Sequence, residues 1–383
     1  MKMNKRADVS SATQHGIALS RAVRILILGS SALVGLQAIP ASAQELSWTS
    51  APLGWTSDPL GDPGVNTSAT TLSITSSVGP GLTINLTYDP DATFTAAGLT
   101  AGDIVNMKAA NAYAALQFTS RFNDLINVNI RVTAVAGTGT LGGSNTFLTV
   151  VPFATAITGL RARTVADATS LDDLTSVGVG GSFPAVDPIG GAHNYLVSRA
   201  QAKALGISPD TAVTTDGTYT FGGGFSYTYD PNNRAVAGKI DYIGVSMHEM
   251  SEIMGRIGIM GVDIGVGNPS YMMMDLFHFT GPGVRGLNNG AGRFLSMDSG
   301  TTLLKGWNNA SVNGGDLADW ASGTNDTFNA FSSSGVLNAL TEVDLRNMDV
   351  IGYDRTPVPE PSSALLLLGS GLTLLLRRRR ASV

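Results

Sequence analysis

The sequence predicts an α+β fold: a twisted sheet with a backing helix and a second helix carrying His248-Glu249-x-x-Glu252, followed by a loop-rich C-terminal subdomain. Three observations predict it. Short stretches alternate apolar and polar residues at the two-residue period of strands, most clearly over 126–135 (INVNIRVTAV). Ile104, Met107, Ala110, Ala114, Phe118 and Phe122 recur at spacings of three and four, the helical period. Beyond Gly258 this periodicity gives way to stretches rich in glycine, asparagine and aspartate.

Composition narrows the class. Charged residues make up only 14% of the chain and there are 46 glycines, which suits a β- and loop-rich exported protein. With no cysteine, disulfides, thiol catalysis and Cys-type zinc sites are excluded. Lys2, Lys5, Arg6, Arg21, Arg24 and Arg377 to Arg380 sit in the two ends, against only Asp8 and Glu360. Of 24 basic and 29 acidic residues, the body therefore keeps 15 and 27. So acidic a body argues against a nucleic-acid partner.

Both ends read as export signals. A basic stretch, the apolar run Ile25 to Leu36 and Ala41-Ser42-Ala43 make 1–43 a secretory signal peptide, cleaved before Gln44. At the other end Val358-Pro359-Glu360-Pro361-Ser362-Ser363 precedes an apolar run, Ala364 to Leu376, and then Arg377 to Arg380. At roughly 13 to 16 residues the run is short for a free-standing transmembrane helix. Its basic stop suits a transient membrane association. This order resembles the PEP-CTERM sorting signal. The resemblance implies recognition by exosortase-type machinery, cleavage near Pro359 to Pro361, and delivery to the outer surface or exterior of a Gram-negative cell.

Between these ends, residues 44–100 form a β-rich lead-in, with strands at 70–75 and 82–88. A helix over 101–124, the strand 126–135, a glycine turn over 137–143 and a strand over 147–153 come next. A helix over 154–173, a glycine-rich loop over 175–191, a short helix over 195–205 and strand material over 217–229 lead to the His248 helix. Residues 101–258 thus make an upper subdomain. In 259–356, the lower one, Phe294 to Met297 and Thr301 to Leu304 read as short strands and Trp307 to Asp326 as polar surface loop. Thr341-x-x-Asp344 opens a closing helix that runs to Gly352. Residues 357–383 are the sorting signal.

The chemistry concentrates in Val245 to Gly258, VSMHEMSEIMGRIG. Residues four apart share a helix face, so His248 and Glu252 point the same way with Glu249 beside them. This is the layout of H-E-x-x-H, in which two ligands grip zinc and the intervening glutamate handles the proton. Here the second ligand is Glu252, and carboxylate oxygen also binds zinc. Met247, Met250 and Met254 form an apolar stripe that faces the core, leaving His248 and Glu252 to face elsewhere.

The H-E-M-S-E-I-M-G-R run, Asp275-Leu276-Phe277, the G-D-x-x-D-W at Gly315 to Trp320 and the D-L-x-x-M-D-V-I-G-Y-D at Asp344 to Asp354 resemble a family of exported bacterial metalloproteases that carry PEP-CTERM tails. The likeness spans most of 100–356. More distantly and locally the helix is similar to the metzincins. Gly255 holds their glycine position, while Glu252 and Gly258 replace their second and third ligands. The resemblance implies a zincin/metzincin-like fold and an endopeptidase acting on protein or peptide substrates.

A catalytic zinc takes three protein ligands and keeps one open position. With Gly258 unable to serve, Asp275 ranks first as third ligand, His278 second and Asp263 third. Glu249 is the expected general base, and Arg256 is either a donor that offsets the charge of an oxygen-rich ligand set or simply a helix C-terminal charge. Such a set also leaves room for another divalent metal. The competing reading is a non-catalytic surface or matrix protein with a vestigial metal site. A calcium-stabilised adhesin built on Asp298, Asp316 and Asp319 has spacing that matches no EF-hand loop.

Overall fold

A computed structural model describes residues 46–49, 70–75, 80–166, 182–210, 214–288, 290–321 and 325–356. The expected signal peptide, most of the lead-in before residue 70, and the sorting signal with its apolar segment lie outside the described residues. Among the described residues no helix is long and apolar enough to cross a membrane.

The architecture is mixed α/β, centred on an eight-stranded sheet. Its strands are β1 (Leu46–Thr49), β2 (Thr71–Thr75), β3 (Thr83–Tyr88), β4 (Asn127–Val135), β5 (Gly142–Val151), β6 (Asn194–Ser198), β7 (Gly217–Gly222) and, after the short pair β8 (Tyr227–Thr228) and β9 (Ile240–Asp241), β10 (Ser270–Met272). They lie in the order β10-β6-β5-β7-β4-β3-β2, with β1 antiparallel on β5. The centre, β3-β4-β7, is parallel. β5 runs antiparallel to both β7 and β6. In β3 and β4 the alternation read from sequence places Ile84, Leu86, Val128, Ile130 and Val132 in the core.

Two helices position the His248 motif. After the short α1 (Asp91–Ala97), α2 (Ala101–Thr119) starts at a capping box. The Thr100 hydroxyl accepts from the Asp103 N–H at 3.1 Å, and Asp103 accepts the Thr100 N–H at 3.0 Å. Ile104, Met107, Ala110, Ala114 and Phe118 are buried as their spacing predicts, but the helix stops at Thr119. After α3 (Phe153–Ala166) and α4 (Arg199–Ala204), α5 (Tyr242–Ile253) carries the motif itself. Asp241 caps α5, its carboxylate reaching the Gly244 N–H at 3.4 Å, and is itself gripped at both oxygens by the buried Arg234 (2.7 and 2.6 Å). α2 packs against α5, and the Ser246 hydroxyl donates to Asn111 Oδ1 at 2.5 Å across that seam.

Several expectations need correction. Residues 195–205 are not one helix. Asn194–Ser198 is a strand, because Tyr195, Leu196 and Val197 are an apolar run buried between β5 and β10. Ser198 then caps α4 through the Gln201 N–H at 3.0 Å. The strand expected over 147–153 begins earlier, at Gly142, so the glycine turn is partly sheet. Residues 307–326 are surface loop only in part: 311–314 are exposed, but Trp307, Asp319, Trp320 and Asp326 are buried, and 322–324 lie outside the described residues. The lower part also holds a four-stranded sheet of β11 (His278–Gly281), β12 (Val284–Arg285), β13 (Phe294–Leu295) and β14 (Lys305–Gly306), then α6 (Ala310–Asn313) and α7 (Glu342–Val350). The expected strand at 301–304 is absent, while Asp344 Oδ2 accepts the Thr341 N–H at 2.7 Å, as the Thr341-x-x-Asp344 pattern requires.

Candidate metal centre

α5 is buried on every side, not on one stripe. Met247, Met250 and Met254 do enter the core, but the opposite face meets protein as well: β5 on one flank, and Asp319, Thr327 and Phe328 on the other. There His248 Nε2 lies 3.0 Å from Glu252 Oε1 and 3.2 Å from Asp319 Oδ1. One ligand atom from each of His248, Glu252 and Asp319 falls within 4.8 Å of the other two. Donors bound at about 2.0–2.1 Å around a tetrahedral zinc stand about 3.3 Å apart, so this spacing fits a small divalent ion.

The imidazole tells the same story. His248 Nδ1 lies 2.9 Å from the Thr327 carbonyl, which can only accept. Nδ1 therefore carries a proton, and Nε2 faces two carboxylate oxygens. A cation between them would satisfy all three atoms. Histidines that bind metals characteristically donate their other ring N–H to a backbone carbonyl in this way. Among the described residues Asp319 Oδ2 is buried with no hydrogen-bond partner, as is Oδ1 of Asp275.

Arg256 completes the cluster. Beyond the α5 C-cap Met254, Gly255 takes φ +114°, a backbone conformation that side chains resist. Its N–H bonds to the Glu252 carbonyl at 2.9 Å and the Arg256 N–H to the Ser251 carbonyl at 3.0 Å, the Schellman pattern. This turn folds Arg256 back over its own helix. Nη1 donates to Asp319 Oδ1 at 2.8 Å and to the Ala318 carbonyl at 2.9 Å; Nη2 lies 3.4 Å from Glu252 Oε1; Nε donates to the Ser251 hydroxyl at 2.7 Å. Its guanidinium lies over the Phe328 ring, 4.3 Å from the centroid. Burial pushes the Asp319 carboxyl up, but the adjoining His248 and Arg256 outweigh it and hold it below the usual carboxylate range.

Glu249 occupies the flank toward β5. A Cβ on Gly142 would meet Glu249 Oε1 at 2.5 Å and Val245 Cγ1 at 2.7 Å, so only glycine lets the carboxyl approach the strand. Burial, then the charge of Glu252, raises the Glu249 pKa well above the usual carboxylate range.

Of the residues the sequence proposed, His248, Glu252 and Glu249 come together, with Arg256 beside them. Asp275, expected as the third ligand, stands elsewhere. It lies on a 3₁₀ turn (Met273–Phe277), and its Oδ2 accepts the N–H groups of Met260 and Met272, both at 2.9 Å, and of Ile259 at 3.2 Å. Three donors on one oxygen make it a clasp between two segments. His278 is stacked on Trp307 at 4.0 Å with Arg293 donating to Nδ1 at 2.7 Å, and burial together with that charge keeps it neutral. Asp263 holds the N–H groups of Gly265, Val266 and Gly267 in an exposed turn. Asp319 is instead the third member of the cluster that could hold a metal ion. Its signal in the sequence was the G-D-x-x-D-W segment, where the acidic residue precedes a tryptophan that anchors it in the core.

Comparison with known proteins bears on the tail of the chain. Residues 357–380 match the PEP-CTERM protein-sorting motif. The motif indicates an exported protein of Gram-negative bacteria, processed at its C-terminus, and is the signal that exosortase recognises. No curated protein and no solved structure matches the chain.

Proposed function

We propose that this protein is an exported zinc-dependent endopeptidase with a zincin-like fold, in which His248, Glu252 and Asp319 hold the metal and Glu249 is the general base. The observation that carries the reading is the convergence of His248 Nε2, Glu252 Oε1 and Asp319 Oδ1 within 4.8 Å, with Glu249 one step round the same helix. The mixed sheet with α2 behind α5 supports the fold assignment. Zinc, or another divalent ion on so oxygen-rich a set, supplies a Lewis acid for a peptide carbonyl and lowers the pKa of a bound water.

The remaining chemistry belongs to the side chains. Glu249 takes a proton on its carboxylate and returns it to the leaving amine, a task suited to a carboxyl whose pKa is raised. Arg256 offsets the two ligand carboxylates, which would otherwise neutralise the ion and blunt its effect on bound water. The substrate is a protein or peptide. Signal-peptide removal and exosortase-type processing deliver the enzyme to the outer surface or the exterior.

One observation favours a second reading. His248, Glu249 and Asp319 are 0% exposed and Glu252 2%, so the cluster is closed as it stands. A non-catalytic surface or matrix protein stapled by this ion cluster would look the same. Metal content of the purified protein, beside His248→Ala and Asp319→Asn, tests the site: about one zinc per chain, lost in both variants, is expected. Glu249→Gln then separates the readings. Lost peptide hydrolysis with retained zinc supports the enzyme, and absence of hydrolysis in the parent protein as well leaves the structural staple.

A further inference from the structure

Ser144 lies on β5 with its side chain fully buried, and its hydroxyl donates to Glu252 Oε2 at 2.8 Å. The other oxygen of that carboxylate, Oε1, faces His248 Nε2 at 3.0 Å. A glutamate's terminal torsion is broad, so a helix alone does not fix which oxygen it presents, or whether it presents both. Here the strand fixes it. Gly142 and Ser144 are two apart and share the face turned to α5, so one stretch of β5 sets the place of both Glu249 and Glu252.

We propose that Ser144 is a positioning residue that makes Glu252 a one-oxygen ligand and thereby selects the metal. This rests on the proposed metal site of His248, Glu252 and Asp319. With Oε2 engaged by the hydroxyl, Glu252 offers Oε1 alone, and the chain presents a compact set suited to a four-coordinate ion such as zinc. Larger oxygen-seeking ions fill their six or more positions partly by two-oxygen carboxylate ligation, which the Ser144 bond opposes. Partners that orient a ligand from outside the coordination sphere typically change metal affinity by about 10- to 100-fold when removed.

The test uses the full-length protein loaded with cobalt, and separately dialysed to equilibrium against zinc and manganese at matched free concentrations. The parent protein is expected to give the intense visible absorption of four-coordinate cobalt and to take up zinc in preference to manganese. Ser144→Ala is expected to weaken that absorption and to narrow the zinc-to-manganese preference about tenfold, while Ser144→Thr, which keeps the hydroxyl, retains both. An unchanged spectrum and preference in Ser144→Ala overturns the proposal and leaves the metal site standing. The weak absorption of six-coordinate cobalt in the parent protein overturns it without recourse to any variant. Failure of the parent to bind any of the three metals removes the metal site and this inference together.

Discussion

Arg256 Nη1 and Asp319 Oδ1 meet at 2.8 Å inside the protein, 63 residues apart in the chain. This contact ties the turn after α5 to the segment that supplies the third member of the cluster. It also brings a permanent positive charge against two buried carboxylates, Asp319 and Glu252. Removing one partner of a buried ion network is costly because the remaining charges stay desolvated. Arg256→Gln is therefore expected to lose roughly 3–5 kcal/mol of stability. Added zinc should restore more stability in the variant than it adds to the parent protein, since the metal can take over the missing charge. Denaturant unfolding with and without zinc measures this, and a zinc response no larger in the variant would count against it.

Asp275 and Asp319 should separate cleanly on mutation. Asp275→Ala leaves three buried backbone donors, from Ile259, Met260 and Met272, without their acceptor. At about 1–3 kcal/mol for each group left unsatisfied, several kcal/mol of stability should go. Asp275→Asn keeps an acceptor oxygen, so its zinc content should equal that of the parent, whereas Asp319→Asn should lose the metal and also be destabilised, because Arg256 loses a buried partner charge. Metal analysis and unfolding curves on the three variants decide it; loss of zinc in Asp275→Asn would restore Asp275 as a ligand.

Much of this protein was legible from local spacing, and what was not depends on long-range contact. α2, β4 and the motif helix follow from periodicities of 3.6 and 2 in the residues themselves. The Thr100 and Thr341 helix starts follow from capping chemistry. The error over residues 195–205 arose because a short apolar run fits either a strand or a buried helix, and only its neighbours β5 and β10 decide. Asp319 escaped because the stretch around it is polar and glycine-rich, the composition of a loop, while its burial depends on Trp320 and Trp307 packing at 4.3 Å. Asp275 misled for the converse reason: an acidic residue after an apolar run is equally a ligand or a clasp until its hydrogen-bond partners are known.

The Asp275 carboxyl gives a pH signature. Burial raises its pKa to about 6, against the pull of its three backbone donors and Arg293. In the unfolded chain it titrates near 4. Between those values the folded form holds more protons than the unfolded one, so this group's stabilising contribution is full below about pH 4 and is lost as the pH rises through about 6. Two pKa units correspond to at most about 3 kcal/mol. Asp275→Asn cannot titrate, so the difference in unfolding free energy between parent and variant should change with pH across this window and be flat above it. A difference that stays constant from pH 4 to 7 would show that the backbone donors hold the carboxyl near its ordinary range.

Gly142→Ala tests the flank of the site that β5 forms. The added methyl would come within 2.5 Å of Glu249 Oε1 and 2.7 Å of Val245 Cγ1, distances at which something must move. Overpacking of this kind costs about 1–3 kcal/mol. Val245 is held in the core, whereas the end of the Glu249 side chain can rotate, so Glu249 should be the group displaced. None of His248, Glu252 and Asp319 is among the three nearest contacts of the new methyl, and zinc content should be unchanged. On the proposed endopeptidase reading, peptide hydrolysis should fall at least tenfold, as expected when the proposed general base leaves its position. Loss of zinc together with activity would mean instead that β5 and the proposed metal ligands shift as one body, and that Gly142 supports the whole site, not Glu249 alone.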